Sequence, residues 1–193
     1  MLFNNNNIIM DDNKNLKKKS KKVVIPLNSL DLETLIGLRE YVISGKSEEE
    51  CGRLNISPSV GIAAPQVDIR KQMFAVYIND ENGNVLADIM MVNPFIVSHS
   101  KNKIYLQGGE GCLSVNREIE GIVQRYETIK VRYYNENNEL IDSTFDGLVS
   151  IVVQHELDHL HGIMFYDHIN KENPFLPEKN SKELGEEKES DTN

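Results

Sequence analysis

His155 and His159 stand four residues apart, with Glu156 directly after the first of them. On an α-helix that spacing puts both imidazoles on one face, roughly 6 Å apart at Cβ, close enough to hold one metal ion. Glu156 lies about 100° further round the helix. That is too far for an easy third ligand on the same face, but well placed to touch a water held by the ion. This is the H-E-x-x-H pattern of metal-dependent hydrolases. Such a site needs a third ligand. A continuation as H-E-x-x-H-x-x-G-x-x-H finds its glycine at Gly162 but Phe165 at the last position, so that ligand set fails. A downstream glutamate would be Glu178, which sits in a charged stretch marked by Pro174 and Pro177. An upstream cysteine would be Cys112, in the run Gly108-Gly109-Glu110-Gly111-Cys112-Leu113-Ser114-Val115, and it fits best. Three glycines beside a cysteine mark a backbone held in a special shape around a reactive group.

The pair of histidines works only if its segment is helical. Leu148, Val149, Ile151, Val152 and Val153 could also form a buried strand, because short apolar runs are ambiguous and β-branched residues favour strands. The ends decide for a helix: Asp146 is a good N-cap and Gly162 can end a helix in the left-handed conformation. The length between them is ordinary for a helix and long for a strand. Apolar residues run nearly all the way round, which predicts burial in the middle of the domain. Leu148, Ile151 and Val152 precede His155 on the metal face. They would line an apolar pocket beside the ion, or serve simply as core.

The remaining chain must supply strands to pack on that helix. Its 193 residues are most simply one domain with tails, and 39% hydrophobic residues suffice for a core. No apolar run approaches the ~20 residues of a membrane helix. The net charge of −9 is unevenly spread: residues 1–22 carry six lysines against Asp11 and Asp12, and residues 171–193 carry four against seven acids. An acidic body argues against a nucleic-acid partner. Two cysteines, Cys51 and Cys112, in a chain this long point to a reducing compartment with at least one in a reactive or ligating role.

In order, residues 1–22 read as a disordered basic tail, because the Asn4–Asn7 run and the lysine cluster offer nothing to bury. They do not resemble a secretory signal; the remnant of an organelle transit sequence is an alternative to a plain solvated tail. Residues 23–170 form the domain. Leu30, Leu35, Leu38 and Val42 predict a helix after a cap at Asn28 or Ser29. Residues 45–55 read as a mobile loop with Cys51 an exposed bystander. Strands are predicted at 73–78, 89–92, 95–97, 103–106, 121–125, 128–134 and 140–145, with a hairpin turn at Asn82-Gly83. Residues 171–193 read as an acidic tail with a short helix near 179–188. The fold class is α+β: antiparallel β-sheets packed around one buried helix that carries H-E-x-x-H.

Three segments together resemble the peptide deformylase family: Gly61-Ile62-Ala63-Ala64-Pro65-Gln66, Glu110-Gly111-Cys112-Leu113-Ser114, and Gln154-His155-Glu156-Leu157-Asp158-His159-Leu160. They occur in the family's order, and the resemblance spans roughly residues 24–170. It implies a metal held by Cys112, His155 and His159, a general base at Glu156, and oxyanion donors in the Gln66 side chain and the Leu113 backbone N–H. It implies removal of the formyl group from N-formylmethionine at the start of new polypeptides, with release of formate. The ion would be ferrous iron, with zinc, nickel or cobalt as replacements. Gly61, Ile62, Glu110, Gly111, Leu148, Ile151 and Val152 would contact the substrate. It also implies that Glu110 pairs with an arginine on the next strand, for which Arg125 is the candidate; a surface arginine worth little is the alternative.

The chemistry agrees. Three protein ligands leave one position open for water, a bound ion lowers that water's pKa toward neutrality, and Glu156 can carry a proton to the leaving amine. One oxyanion donor is typically worth about 3 kcal/mol. A thiolate with two imidazoles suits iron(II) or zinc. His161, His99 and His168 read as helix-end or surface residues.

Some positions depart from the family pattern. Ser59 stands where glycine is usual and Asn116 where proline is usual. The usual substrate-contacting arginine has no clear counterpart, though Arg117 could substitute. Docking on ribosomes through a basic C-terminal helix does not suit the acidic tail. An H-E-x-x-H metalloprotease and a non-catalytic peptide-binding relative are the rival readings. Formylated starts and the Asn- and Lys-rich N-terminus suggest an organelle of bacterial descent, plastid-like or mitochondrial, with bacterial cytoplasm as the alternative.

Overall fold

The structure, a computed structural model, describes residues 2–185. Three helices, α1 (Ser29–Ser44), α2 (Glu48–Leu54) and α3 (Gly147–His161), pack with eight strands. The strands are β1 (Gly61–Ala63), β2 (Met73–Asn79), β3 (Val85–His99), β4 (Lys103–Tyr105), β5 (Arg125–Tyr126), β6 (Thr128–Tyr134), β7 (Leu140–Asp146) and β8 (Ser181–Glu183). The larger sheet has the order β1-β2-β3-β6-β7 and is antiparallel at every step. The smaller has the order β5-β4-β8.

Strand β2 explains the layering. Side chains alternate across a sheet, and on β2 both sets are apolar. Met73 and Ala75 join Leu35, Leu38 and Val42 of α1 in one core. Phe74, Val76 and Ile78 join Val152, Val153, Leu157 and Leu160 of α3 in another. The sheet is therefore covered on both faces, by α1 and by α3. Helix α1 begins where predicted: the Asn28 side chain accepts from the Asp31 N–H at 2.9 Å. Helix α3 buries Ile151, Val152, Val153, Leu157 and Leu160, together with Gln154, Glu156 and His159. Asp146 occupies its N-cap position but makes no side-chain capping hydrogen bond. Gly162 ends it at φ +74°, its N–H reaching the Asp158 and His159 carbonyls.

Several expectations are corrected. Residues 1–22 are not a solvated tail over the described part. Leu16 is fully buried, Phe3 nearly so, and the Ser20 N–H donates to the Leu160 carbonyl at 2.8 Å. A few apolar residues and the backbone itself supply anchors that a lysine-rich composition conceals. Residues 45–55 are not a loop: Ser47 caps α2 through Glu50, and three glutamates favour its N-terminal turn. The strands expected at 89–92 and 95–97 are one strand, β3, interrupted by a bulge at Asn93-Pro94, where proline removes a ladder donor. Asn93, at φ +52°, uses its side chain to bond Val23 N–H and carbonyl, both at 2.8 Å. Of the strand expected at 121–125 only Arg125 is regular, as the first residue of β5. In place of a terminal helix near 179–188, residues 181–183 form β8, parallel to β4; the remainder of that stretch lies outside the described residues.

Candidate metal centre and cleft

The loop between β4 and β5 brings Cys112 back onto α3. The Cys112 Sγ lies 3.3 Å from His159 Nε2. One donor atom from each of Cys112, His155 and His159 falls within 4.8 Å of the others. The two imidazoles stand nearly edge to face, 5.0 Å between centroids. Both cysteines are free thiols, so Cys112 is available as a ligand.

One nitrogen of His155 is taken: Nδ1 meets Glu110 Oε2 at 2.7 Å, which leaves Nε2 for an ion. Glu110 is held in turn by Arg125, whose Nε and Nη2 donate to its two oxygens at 2.8 and 3.0 Å. Arg125 Nη1 donates to Asp158 Oδ2 at 2.5 Å. The Arg125 and Glu110 side chains are 4% and 5% exposed, so this is a buried, bidentate pair rather than a surface arginine. Burial alone would raise Glu110, but the Arg125 charge and the His155 hydrogen bond outweigh it and hold the carboxyl at about 2. Burial pulls His159 well below 6.5, which keeps it neutral and able to ligate.

Glu156 is buried against Gly61. A Cβ on Gly61 would stand 2.4 Å from Glu156 Oε1, so any larger residue there would have to displace the Glu156 carboxyl. Glu156 Oε2 is buried without a protein hydrogen-bond partner, and burial pushes the carboxyl up to about 7. Gln66 sits on a single 3-10 turn, Ala64–Val67. Its Oε1 accepts from the Ala63 N–H at 2.9 Å, which turns Nε2 toward Ser114 Oγ at 3.3 Å and Cys112 Sγ at 3.5 Å.

A cleft of about 1140 Å³ opens here. Gly61, Gln66, Glu110, Gly111, Cys112, Leu113, His155 and Glu156 line it, as do Leu148, Ile151 and Val152. Ile62 does not. Strand alternation sends Gly61 and Ala63 toward α3 and the Ile62 side chain into the α1 core, fully buried. Arg117 does not line this cleft: its guanidinium is bidentate on Asp11 at 2.9 and 2.7 Å. Sequence reasoning quoted Asp158 within a motif but gave it no role; its partner Arg125 lies 33 residues earlier, and no local pattern ties the two. It missed Gln154, which accepts the Tyr126 N–H at 3.0 Å and donates to its carbonyl at 2.9 Å, fixing β5 to α3. It also missed Lys46, Cys51, Asp80 and Glu81 as residues that line the cleft.

The donor set fits a divalent ion: a soft sulfur and two imidazoles converge beside a buried carboxyl whose Oε2 has no protein partner. No helix among the described residues is long and apolar enough to cross a membrane.

Comparison with known proteins agrees. The family model described as polypeptide deformylase matches residues 5–175. Peptide deformylase 2 of Bacillus anthracis is 46% identical over 164 residues, 85% of this chain and 89% of that protein. Peptide deformylase 2 of Bacillus subtilis is 44% identical over 159 residues, 82% of this chain and 86% of its own length. Among solved structures, a class I type b peptide deformylase from Acinetobacter baumannii with Met-Ala-Ser bound superposes with a TM-score of 0.67 at 33% identity, covering 84% of this chain and 96% of that one. A peptide deformylase from Thermotoga maritima gives 0.65 at 29% identity, over 84% of this chain and 96% of that one. The chain belongs to the peptide deformylase family, enzymes that remove the formyl group from the N-terminal formylmethionine of new polypeptides.

Proposed function

We propose that this deformylase works with one divalent ion, Fe2+ in the cell, held by Cys112, His155 and His159, and that Zn2+, Ni2+ or Co2+ can replace it. The observation that carries the reading is the convergence of those three donors, within 4.8 Å of one another, beside the unpartnered Glu156 carboxylate. The ion would supply Lewis-acid chemistry, making water acidic near neutral pH. Glu156 would take a proton from water as the water oxygen bonds to the formyl carbon, and would deliver it to the amine nitrogen as the C–N bond breaks, leaving formate and a free amine. A carboxyl raised to about 7 suits both halves of this transfer. Gln66 Nε2 and the Leu113 backbone N–H donate to the formyl oxygen as it gains negative charge; one such donor is typically worth about 3 kcal/mol. Glu110 fixes the His155 ring, and Arg125 fixes Glu110. Helix α3, which carries His155, Glu156 and His159, packs against strands of both sheets.

Leu148, Ile151 and Val152 form the apolar wall for the methionine side chain. N-formylmethionyl peptides and nascent chains are the substrates. Residues 1–22, rich in Asn and Lys, support an organelle of bacterial descent as the location, and the bacterial relatives support the alternative of bacterial cytoplasm. Subcellular fractionation separates the two.

The test is anaerobic purification, elemental analysis and a formate-release assay with formyl-Met-Ala-Ser on one sample. About one ion per chain with formate release is expected, and Cys112→Ala or Glu156→Ala abolishes release. Near-normal turnover in either variant defeats the mechanism. Cleavage of internal peptide bonds without preference for a formyl group would favour the metalloprotease reading.

A further inference from the structure

The N-terminal segment reaches the backs of both loops that face the metal centre. The Ile9 N–H donates to the Gln66 carbonyl at 2.8 Å, and two residues later the Asp11 N–H donates to the Ser114 carbonyl at 2.9 Å. Gln66 and Ser114 already touch through their side chains, Gln66 Nε2 to Ser114 Oγ at 3.3 Å. One short stretch of backbone thus spans the oxyanion turn and the cysteine loop. The side chain of Asp11 then closes a latch. It is buried, 8% exposed, and accepts from Arg117 Nη1 and Nη2 at 2.9 and 2.7 Å and from Tyr166 Oη at 2.8 Å. Arg117 lies on the far end of the same loop as Cys112, and its guanidinium also stacks over the Tyr166 ring, 5.5 Å from the centroid. Further along, Leu16 is fully buried and the Ser20 N–H bonds the Leu160 carbonyl, one residue past His159.

We infer that residues 9–11 are a positioning strap for the metal centre, and that Asp11 is its latch: it sets the loop carrying Cys112 and Leu113 against Gln66. This rests on the metal-site reading above. Cys112 lies in an irregular loop, with no ladder of its own to fix it. Its neighbours Ser114 and Arg117 are held by the strap, so a Cα shift at Asp11 is transmitted to the thiol and to the Leu113 N–H. Asp11 touches neither substrate nor ion, and its effect must pass through the loop.

The experiment compares the iron- or cobalt-loaded wild type with Asp11→Ala and, from the other side of the latch, Arg117→Ala. Arg117 is half exposed, so its removal leaves a folded protein even where Asp11→Ala does not. Asp11→Glu serves as the conservative variant. Three quantities are read well below the melting temperature: formate release, the rate at which a chelator strips the ion, and the thiolate-to-cobalt absorption band. Contacts of this kind typically alter metal affinity or activity by about 10–100-fold. The expected result is a kcat loss in that range with KM changed by no more than about twofold, faster ion release and a shifted cobalt band. Asp11→Glu should recover part of each. A strap that matters only for stability would lower the melting temperature while kcat, ion release and the band stay at wild-type values, and that outcome overturns the inference. If the wild type itself binds no ion or releases no formate, the metal-site reading fails instead, independently of the latch.

Discussion

Gly61 and Glu156 meet without a side chain between them: a Cβ on Gly61 would lie 2.4 Å from Glu156 Oε1 and 2.9 Å from its Cδ. The strand edge and the helix therefore fix the position of the Glu156 carboxyl together. Gly61→Ala should displace the carboxylate by a fraction of its own size while β1, three residues paired to β2, stays formed. A misplacement of about 1 Å typically costs 10²-fold, so kcat for formate release should fall by about that factor. Circular dichroism should show a fold close to wild type. Unchanged turnover would mean that Glu156 does not act from this position.

Arg125 neutralises Glu110 and contacts Asp158 from a position 4% exposed. Removing one member of a buried pair leaves an uncompensated charge and typically costs about 3–5 kcal/mol. Arg125→Ala should destabilise the protein by that much in urea unfolding, and its metal should be lost more readily because Glu110 no longer holds His155. Arg125→Lys should recover little, since an ammonium cannot make the two-pronged contact. A loss below about 1 kcal/mol would match a surface pair instead.

Asp11 carries a pH signature. The Arg117 hydrogen bonds hold its carboxyl at about 2, below the usual 3.8. A folded-state value below the unfolded one stabilises the protein when the group is charged in both states. The contribution is thus complete above about pH 4 and fades as pH falls through about 2. Melting temperatures of wild type and Asp11→Asn, measured from pH 7 to pH 2.5, should differ most near neutrality and converge in acid. A gap independent of pH would show that Asp11 gains nothing from its charge.

Leu16 decides whether the N-terminal segment belongs to the domain. A fully buried leucine costs about 2–5 kcal/mol when cut to alanine, and an exposed one almost nothing. Leu16→Ala should therefore shift the urea midpoint clearly, with the slope unchanged. No shift would return residues 1–22 to a solvated tail.

The chemistry of this protein was legible in the chain itself because it depends on identity and short spacing. The His155–His159 interval needs only helical geometry, and Gly162 marks where that helix stops. The motif around Cys112 resembles its family closely enough to give the reaction and to propose the third ligand. Strand β2 was legible too, as an apolar run, but not the fact that its two faces serve two helices. What the tertiary structure decided are relations between residues far apart. Ile62 belongs to a recognisable motif, yet strand alternation turns it away from the cleft while Gly61 and Ala63 face α3. Arg117 could have met substrate, but Asp11, 106 residues earlier, claims it. The lysine-rich N-terminus looked unfoldable because composition weighs side chains, whereas backbone N–H groups and a few buried side chains, Phe3, Asp11 and Leu16 among them, anchor it. Spacing along a helix is local and survives in the sequence; the partner of a buried charge or a backbone donor is set by packing, and no local pattern encodes it.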